Sequence, residues 1–328
     1  MNNVNLILCV FIFVTTAIAT AFLEKRLIPI LKAKAKQPIY EGGPSWHASK
    51  TGTPTMGGVA FVASIAITLC SVGLCFIISE QNSKIAITIF VSAFFAIGNA
   101  LVGFFDDLTK LKRKENAGLT PFQKLFLQFL ISVIFLMARA YLLGDNTSLE
   151  LPFGKIELGG FYYPLAIILL LGIVNCANLT DGIDGLATSV AWLIGAVLFI
   201  IGLRASDESM LLSSALMGGA MAFLFFNAHP AKIFMGDTGS LFLGALISAI
   251  AFTLDNPFVI LLIGGVYVIE GASVILQVLS FKLFAKRIFK MAPLHHHLEK
   301  CGYRENQICI YAIIATLVLS IPVLLLLK

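Results

Sequence analysis

Charge is scarce in this chain of 328 residues: Asp, Glu, Lys and Arg together make up 12%, while 58% of the residues are hydrophobic. That ratio excludes a water-soluble globule, which has no interior large enough to hide so much apolar side chain. It also leaves too little polar surface for a nucleic-acid partner, despite a net charge of +5. The six cysteines, at 9, 70, 75, 176, 301 and 309, show no paired spacing, so neither a disulfide framework nor a zinc site is expected. Solenoid-type repeats are missing. So is the apolar–polar alternation of membrane-spanning strands, which excludes a barrel.

What remains is a series of runs that are apolar around their whole circumference. A bilayer core needs roughly 20 such residues per helix, and only a helix satisfies the backbone of an isolated span. Ten spans are expected, near 3–23, 59–78, 85–105, 125–143, 161–175, 187–203, 210–227, 241–254, 258–281 and 307–327. The fold class is all-α and polytopic, in one integral-membrane domain covering 1–328. No Lys or Arg precedes the first run, whereas Lys25 and Arg26 follow it, which predicts an uncleaved helix with its N-terminus outside. Ten spans then put the C-terminus outside as well. They also put 18 of the 23 basic residues on the inner side, as the positive-inside bias requires. Residues 144–160 alternate around Pro152-Phe153-Gly154 and predict a small external β-hairpin.

The rarer polar residues are lopsided too. All five histidines, His47, His229, His295, His296 and His297, fall on the inner face, together with Asp106, Asp107, Asp181, Asp184 and Asp237. Aspartates contribute little to orientation, so their gathering points to chemistry. Asp106 and Asp107 sit at the mouth of the third span. Interfacial charges ending a helix are the plain alternative, but a helix C-terminus disfavours carboxylates and so implies a compensating cation. Asn175-Cys176-Ala177-Asn178-Leu179-Thr180-Asp181-Gly182-Ile183-Asp184 forms the loop between spans five and six. There Thr180 or Asp181 is a candidate cap for the next helix, and the amides suit a nucleobase or sugar. In Phe234-Met235-Gly236-Asp237-Thr238-Gly239-Ser240, Asp237 lies between two glycines where backbone can approach a ligand, and Thr238 or Ser240 is a candidate cap. Pro293-Leu294-His295-His296-His297 reads either as a solvated His tract or as phosphate and nucleotide contacts. Lys50-Thr51-Gly52-Thr53-Pro54-Thr55-Met56-Gly57-Gly58 places a lysine and hydroxyls at a helix N-terminus, a natural anion site.

Carboxylates, lysines and imidazoles on one membrane face describe a place where Mg²⁺ bridges phosphate oxygens and cations neutralise the remainder. On these five motifs, at 50–58, 103–107, 178–187, 235–240 and 293–297, the chain resembles the polyprenyl-phosphate N-acetylhexosamine-1-phosphate transferases nearly end to end. The triple-His run resembles their phospho-N-acetylmuramoyl-pentapeptide branch. That resemblance implies transfer of a phospho-sugar from UDP-N-acetylmuramoyl-pentapeptide to undecaprenyl phosphate, giving lipid I and UMP. A homodimer in the bacterial cytoplasmic membrane, with Mg²⁺ as cofactor and a site on the cytoplasmic face, is implied with it.

By matching motif, the resemblance implies Asp237 as metal ligand and Asp106 and Asp107 as the essential acidic pair, with Asp106 deprotonating or orienting the lipid phosphate. It implies Lys50, Thr55 and Lys124 at the phosphates. Asn178, Asp181, Asp184, Asn227 and Phe234 are expected around uridine and sugar, His295 and His296 at the nucleotide end, and Gln277 at the substrate. The sister branch, using UDP-N-acetylglucosamine, is the nearer alternative. A secondary transporter is the remote one, suggested by the intramembrane Glu270, although the aspartates lie at span ends and not at midplane.

Overall fold

A computed structural model of the protein describes residues 5–34, 50, 52–80, 82–113, 118–144, 147–151, 154–254 and 256–326. His47, Thr51, Pro152, Phe153 and Lys328 lie outside the described residues. Among those described, the chain is helical apart from one two-stranded sheet. The helices are α1 (Leu6–Lys34), α2 (Gly58–Ile78), α3 (Ser83–Arg113), α4 (Pro121–Leu142), α5 (Tyr162–Thr180), α6 (Leu186–Ala205), α7 (Asp207–Asn227), α8 (Gly236–Ala251), α9 (Ile260–Ile263), α10 (Gly265–Phe284), α11 (Leu294–Lys300) and α12 (Glu305–Leu326). Nine of the described helices are long and apolar enough to cross a membrane. The expected external hairpin forms as antiparallel β1 (Ser148–Leu151) and β2 (Gly154–Glu157), with Leu149 opposite Ile156.

The tenth apolar run is α8, only 16 residues long and buried from Thr238 to Ala251. It packs most heavily on α3 and then on α5, so it forms the centre around which the longer helices stand. Lipid tails are as apolar as leucine, so helices associate in a bilayer through close packing and polar contacts more than through the hydrophobic effect. Small residues serve that here. A Cβ on Gly58 of α2 would collide with the backbone of Gly239 in α8, and one on Gly103 of α3 would collide with the Asp237 carbonyl. One turn further along α2, Phe61 meets Phe223 of α7 and Phe242 of α8, with ring centroids 5.6 and 5.8 Å apart.

Several helices run further than their apolar stretches. α1 continues to Lys34, well past the expected end at 23. α3 reaches Arg113, so Asp106 and Asp107 lie inside the helix and not at its mouth, and the expected dipole penalty does not apply to them. α5 continues through Thr180, which puts Asn175 and Asn178 on a helix and shortens the connection to 181–185. The expected caps do not form. α6 starts behind Gly185 at φ +77 with no side-chain cap, and α8 starts behind Met235 with none either. The run at 258–281 breaks at Gly264 into α9 and α10.

Candidate active site

Glycine decides where the acids meet. With no side chain at Gly103, the first turn of α8 presses directly on α3 one turn from Asp106 and Asp107. Gly236, at φ +74, occupies a left-handed conformation that L side chains rarely adopt, and a Cβ there would come within 2.7 Å of the Asp107 carboxylate.

Asp107 is consequently engaged by α8 itself. Its Oδ1 accepts the Asp237 N–H at 3.1 Å, and its Oδ2 accepts the Thr238 N–H at 2.9 Å and the Thr238 hydroxyl at 2.6 Å. A helix begins with N–H groups that lack intrahelical partners, and its N-terminus favours a negative charge. α8 has no cap of its own, so a carboxylate from α3 caps it and thereby aims Asp237.

Asp106 is fully buried. Its Oδ1 accepts the Leu119 N–H at 2.7 Å, while Oδ2 lies 2.7 Å from Lys110 Nζ and 3.0 Å from Lys124 Nζ. Both lysines also reach Asp237 Oδ2, Lys124 at 2.6 Å and Lys110 at 3.3 Å. Asp237 Oδ1 accepts from Asn178 Nδ2 at 3.1 Å, and the same amide donates to Ser240 at 2.8 Å. Lys124 is set by the start of α4, where Thr120 and Gln123 form a reciprocal capping box and Pro121 occupies the first position. Its side chain therefore comes from the first turn of α4 while the acids come from α3 and α8. Asp237 keeps 16% side-chain exposure where Asp106 has none. Asp237 is the carboxylate that solvent reaches, and Asp106 stands behind the lysines.

Oxygens of Asp106, Asp107 and Asp237 lie within 4.8 Å of one another and could hold a metal ion. A donor set made only of carboxylate oxygen suits a hard cation, not zinc or copper. Lys110 was not among the expected residues, although its spacing four residues after Asp106 puts both on one helix face.

A second cluster lies around Asp184, which is 4% exposed. Its Oδ1 meets Lys50 Nζ at 2.6 Å, and its Oδ2 meets His229 Nδ1 and the Ala231 N–H, both at 3.0 Å. Glu305, at the start of α12, accepts from Lys50 at 2.8 Å and from the Asp184 N–H at 2.8 Å. Asp184, His229 and Glu305 also stand close enough to share a metal, and the Lys50 ammonium meets two of the three. In the 181–185 connection, burial pushes the Asp181 carboxyl well above the usual carboxylate range. The charges of Asp237, Asp107 and Asp184 add to that push, and Lys50 opposes it.

The two clusters are tied by backbone. Phe234 N–H donates to Pro54 at 2.8 Å, Gly57 N–H to Phe234 at 2.9 Å and Gly58 N–H to Met235 at 2.9 Å, which fastens the segment after Lys50 to the one before Asp237. Thr55 is buried beside Gly236. Other expected ligands have different partners. Asn227 donates to Ile233 at 3.1 Å and accepts from Thr188 at 2.9 Å, so it braces its own turn. Gln277 binds the backbone of Ile288 and Phe289. In α11, His295 faces Glu270 and His296 faces Glu299 at 2.7 Å, while His297 accepts from the Lys290 N–H. The His295 and His296 rings pack edge to face with centroids 4.2 Å apart, yet each Nδ1 meets a different carboxylate, Glu270 for one and Glu299 for the other.

Two family models match this chain. One, described as glycosyl transferase family 4, covers residues 89–255, which run from within α3 to beyond α8. The other, described as phospho-N-acetylmuramoyl-pentapeptide-transferase signature 1, covers residues 50–62. A phospho-N-acetylmuramoyl-pentapeptide-transferase of Clostridium perfringens strain SM101 is 45% identical over 303 residues, 91% of this chain and 90% of the relative. One from Clostridium kluyveri is 43% identical, over 90% of this chain and 92% of the relative. One from Bacillus velezensis is 42% identical, over 90% of each. The chain belongs to the phospho-N-acetylmuramoyl-pentapeptide transferase family. In this transferase the model matches cover Lys50 and every residue of the Asp106–Asp107–Asp237 cluster, whereas Glu305, Glu270 and the histidines of α11 lie beyond them.

Proposed function

We propose that this chain transfers phospho-N-acetylmuramoyl-pentapeptide from UDP-N-acetylmuramoyl-pentapeptide to undecaprenyl phosphate, forming lipid I for peptidoglycan synthesis and releasing UMP. The observation that carries the proposal is the convergence of Asp106, Asp107 and Asp237 with Lys110 and Lys124 at one end of a membrane-spanning bundle. Two anions must meet in this reaction, and fixed cations in a partly dry site lower the cost of that approach.

Lys110 and Lys124 hold phosphate oxygens, and Asp106 keeps both ammonium groups in place from behind. Asp107 holds the start of α8, so that Asp237 faces the substrate side. The oxygen-only donor set supports Mg²⁺, which Asp237 would hold as its principal ligand beside Asp106 and Asp107, and which would supply charge neutralisation for the diphosphate. Lys50, Thr55, Asn178, Asp181 and Asp184 receive the uridine diphosphate and sugar, with Asn227, Phe234, Gln277, His295 and His296 shaping or lining that region. A phosphate oxygen of the lipid forms a bond to the sugar-bearing phosphorus as the bridging oxygen leaves with UMP. Direct attack is favoured over a phospho-aspartate because every acid of the first cluster is already engaged by a lysine or by backbone N–H groups.

The excess of Lys and Arg in the loops on this side supports a site on the cytoplasmic face of the bacterial inner membrane. A homodimer is proposed on the family resemblance alone. UMP release by purified protein given undecaprenyl phosphate and either UDP-N-acetylmuramoyl-pentapeptide or UDP-N-acetylglucosamine tests the proposal. Turnover of the muramoyl substrate alone is expected; turnover of the other nucleotide would move the protein to the sister branch.

A further inference from the structure

Glu270 lies on α10, within a segment apolar enough to cross a membrane, and is 4% exposed. An acid so placed is costly without a partner. Its partner is His295. Both carboxylate oxygens accept the His295 backbone N–H, at 3.1 and 3.2 Å, and Oε2 also lies 3.1 Å from the ring Nδ1. α11 has no side-chain N-cap, so the same carboxylate holds the first turn of that helix and the orientation of its imidazole.

A carboxylate only accepts, so the Nδ1 facing it carries the proton, and in the neutral ring Nε2 is left as an acceptor. His295 is fully buried, and among the described residues its Nε2 has no hydrogen-bond partner. It faces Gly182, where any side chain would run into it. Gly182 directly follows Asp181 in the connection that carries Asp184. A helix cap alone would need only the backbone contact, and a buried polar atom unpaired among the described residues is open to a bound partner.

We propose that Glu270 is a positioning residue of this transferase: by fixing the backbone and ring of His295, it presents Nε2 as an acceptor beside the 181–185 turn for an N–H or O–H donor of the bound nucleotide sugar. The inference rests on the function proposed above, because the substrate supplies the donor. It makes Glu270 part of binding, with no ion pathway.

The test uses the full chain in detergent with ¹⁵N-labelled histidine, the His295 signals being assigned by their loss in His295→Ala. Wild type should show a protonated Nδ1 and an unprotonated Nε2. The Nε2 signal should move when UDP-N-acetylmuramoyl-pentapeptide is added without lipid acceptor. Glu270→Ala should lose that pattern and raise KM for the nucleotide roughly tenfold to a hundredfold, with kcat changed far less. Glu270→Gln, which keeps an acceptor oxygen, should recover most of the loss. A protonated Nε2 in wild type would overturn the proposal, as would an unchanged KM in folded Glu270→Ala. Should the alanine variant not fold, the wild-type spectrum and Glu270→Gln decide. Absence of muramoyl turnover by wild type would count against the proposed function alone, since the ring tautomer is read without turnover.

Discussion

The two charged clusters of this transferase are built differently. Around Asp237, every side chain comes from the body or first turn of a long helix, and each acid is held by groups from at least one other helix. Around Asp184, the partners come from helix starts and connections: Lys50 just before α2, Asp184 and His229 in turns, Glu305 at the first residue of α12. Geometry fixed by helix bodies suits a centre whose atoms must not move during phosphoryl transfer. Contacts between loops suit a place that admits and releases a large substrate. On the function proposed above, the difference leads us to expect rate to depend on the first cluster and substrate affinity on the second.

The largest effect is expected where the two assignments separate most sharply. Asp237→Ala should reduce kcat by roughly a thousandfold while leaving nucleotide binding, measured by calorimetry, within a few-fold of wild type. Gly103→Ala tests whether close approach of α3 and α8 sets that centre. The added Cβ should lower stability by about 1–3 kcal/mol or more, read as a shift in thermal unfolding, and activity should fall with it.

Glu305→Gln weakens the second cluster only. It should raise KM for the nucleotide about tenfold and leave kcat nearly unchanged; an equal fall in kcat would merge the clusters into one functional unit. Asp107→Ala removes the cap of α8 and leaves two N–H groups without their acceptor, for an expected loss of about 1–3 kcal/mol in unfolding stability.

The smallest effect concerns pH. The Asp181 carboxyl is raised well above its ordinary value by burial and by its acidic neighbours, so the folded state keeps a proton that the unfolded chain releases above about pH 3.9. Stability from this group is complete below that pH and falls as pH rises toward the raised folded value. Asp181→Asn should flatten that fall in a series of thermal unfolding midpoints.

How much of this was legible in the sequence follows from how each residue is held. The spans and the hairpin were readable because apolar length and alternation are local properties. The motifs at 103–107, 178–187 and 235–240 did point to residues that meet, since Asp106, Asp107, Asn178 and Asp237 share one cluster. Helix ends were misplaced where polar residues continue a helix under tertiary contacts that no local pattern shows. Asn175 stays helical while donating to Gln128 at 2.7 Å, and Lys110 while meeting Asp106. Glu305 stands 121 positions from Asp184, and Glu270 stands 25 from His295. Neither partnership has a spacing signal. Asn227 and Gln277 illustrate the reverse: polar residues expected at the substrate whose amides are engaged in bracing the chain.

The most direct test of the central claim, that the Asp106–Asp107–Asp237 cluster is a cation-dependent transfer centre, is a Mg²⁺ titration of UMP release in wild type and Asp237→Asn. Wild type should be inactive in chelator and saturate with Mg²⁺, while the variant stays roughly a thousandfold lower at every concentration. Turnover in chelator, or near-wild-type rates in Asp237→Asn, would contradict it.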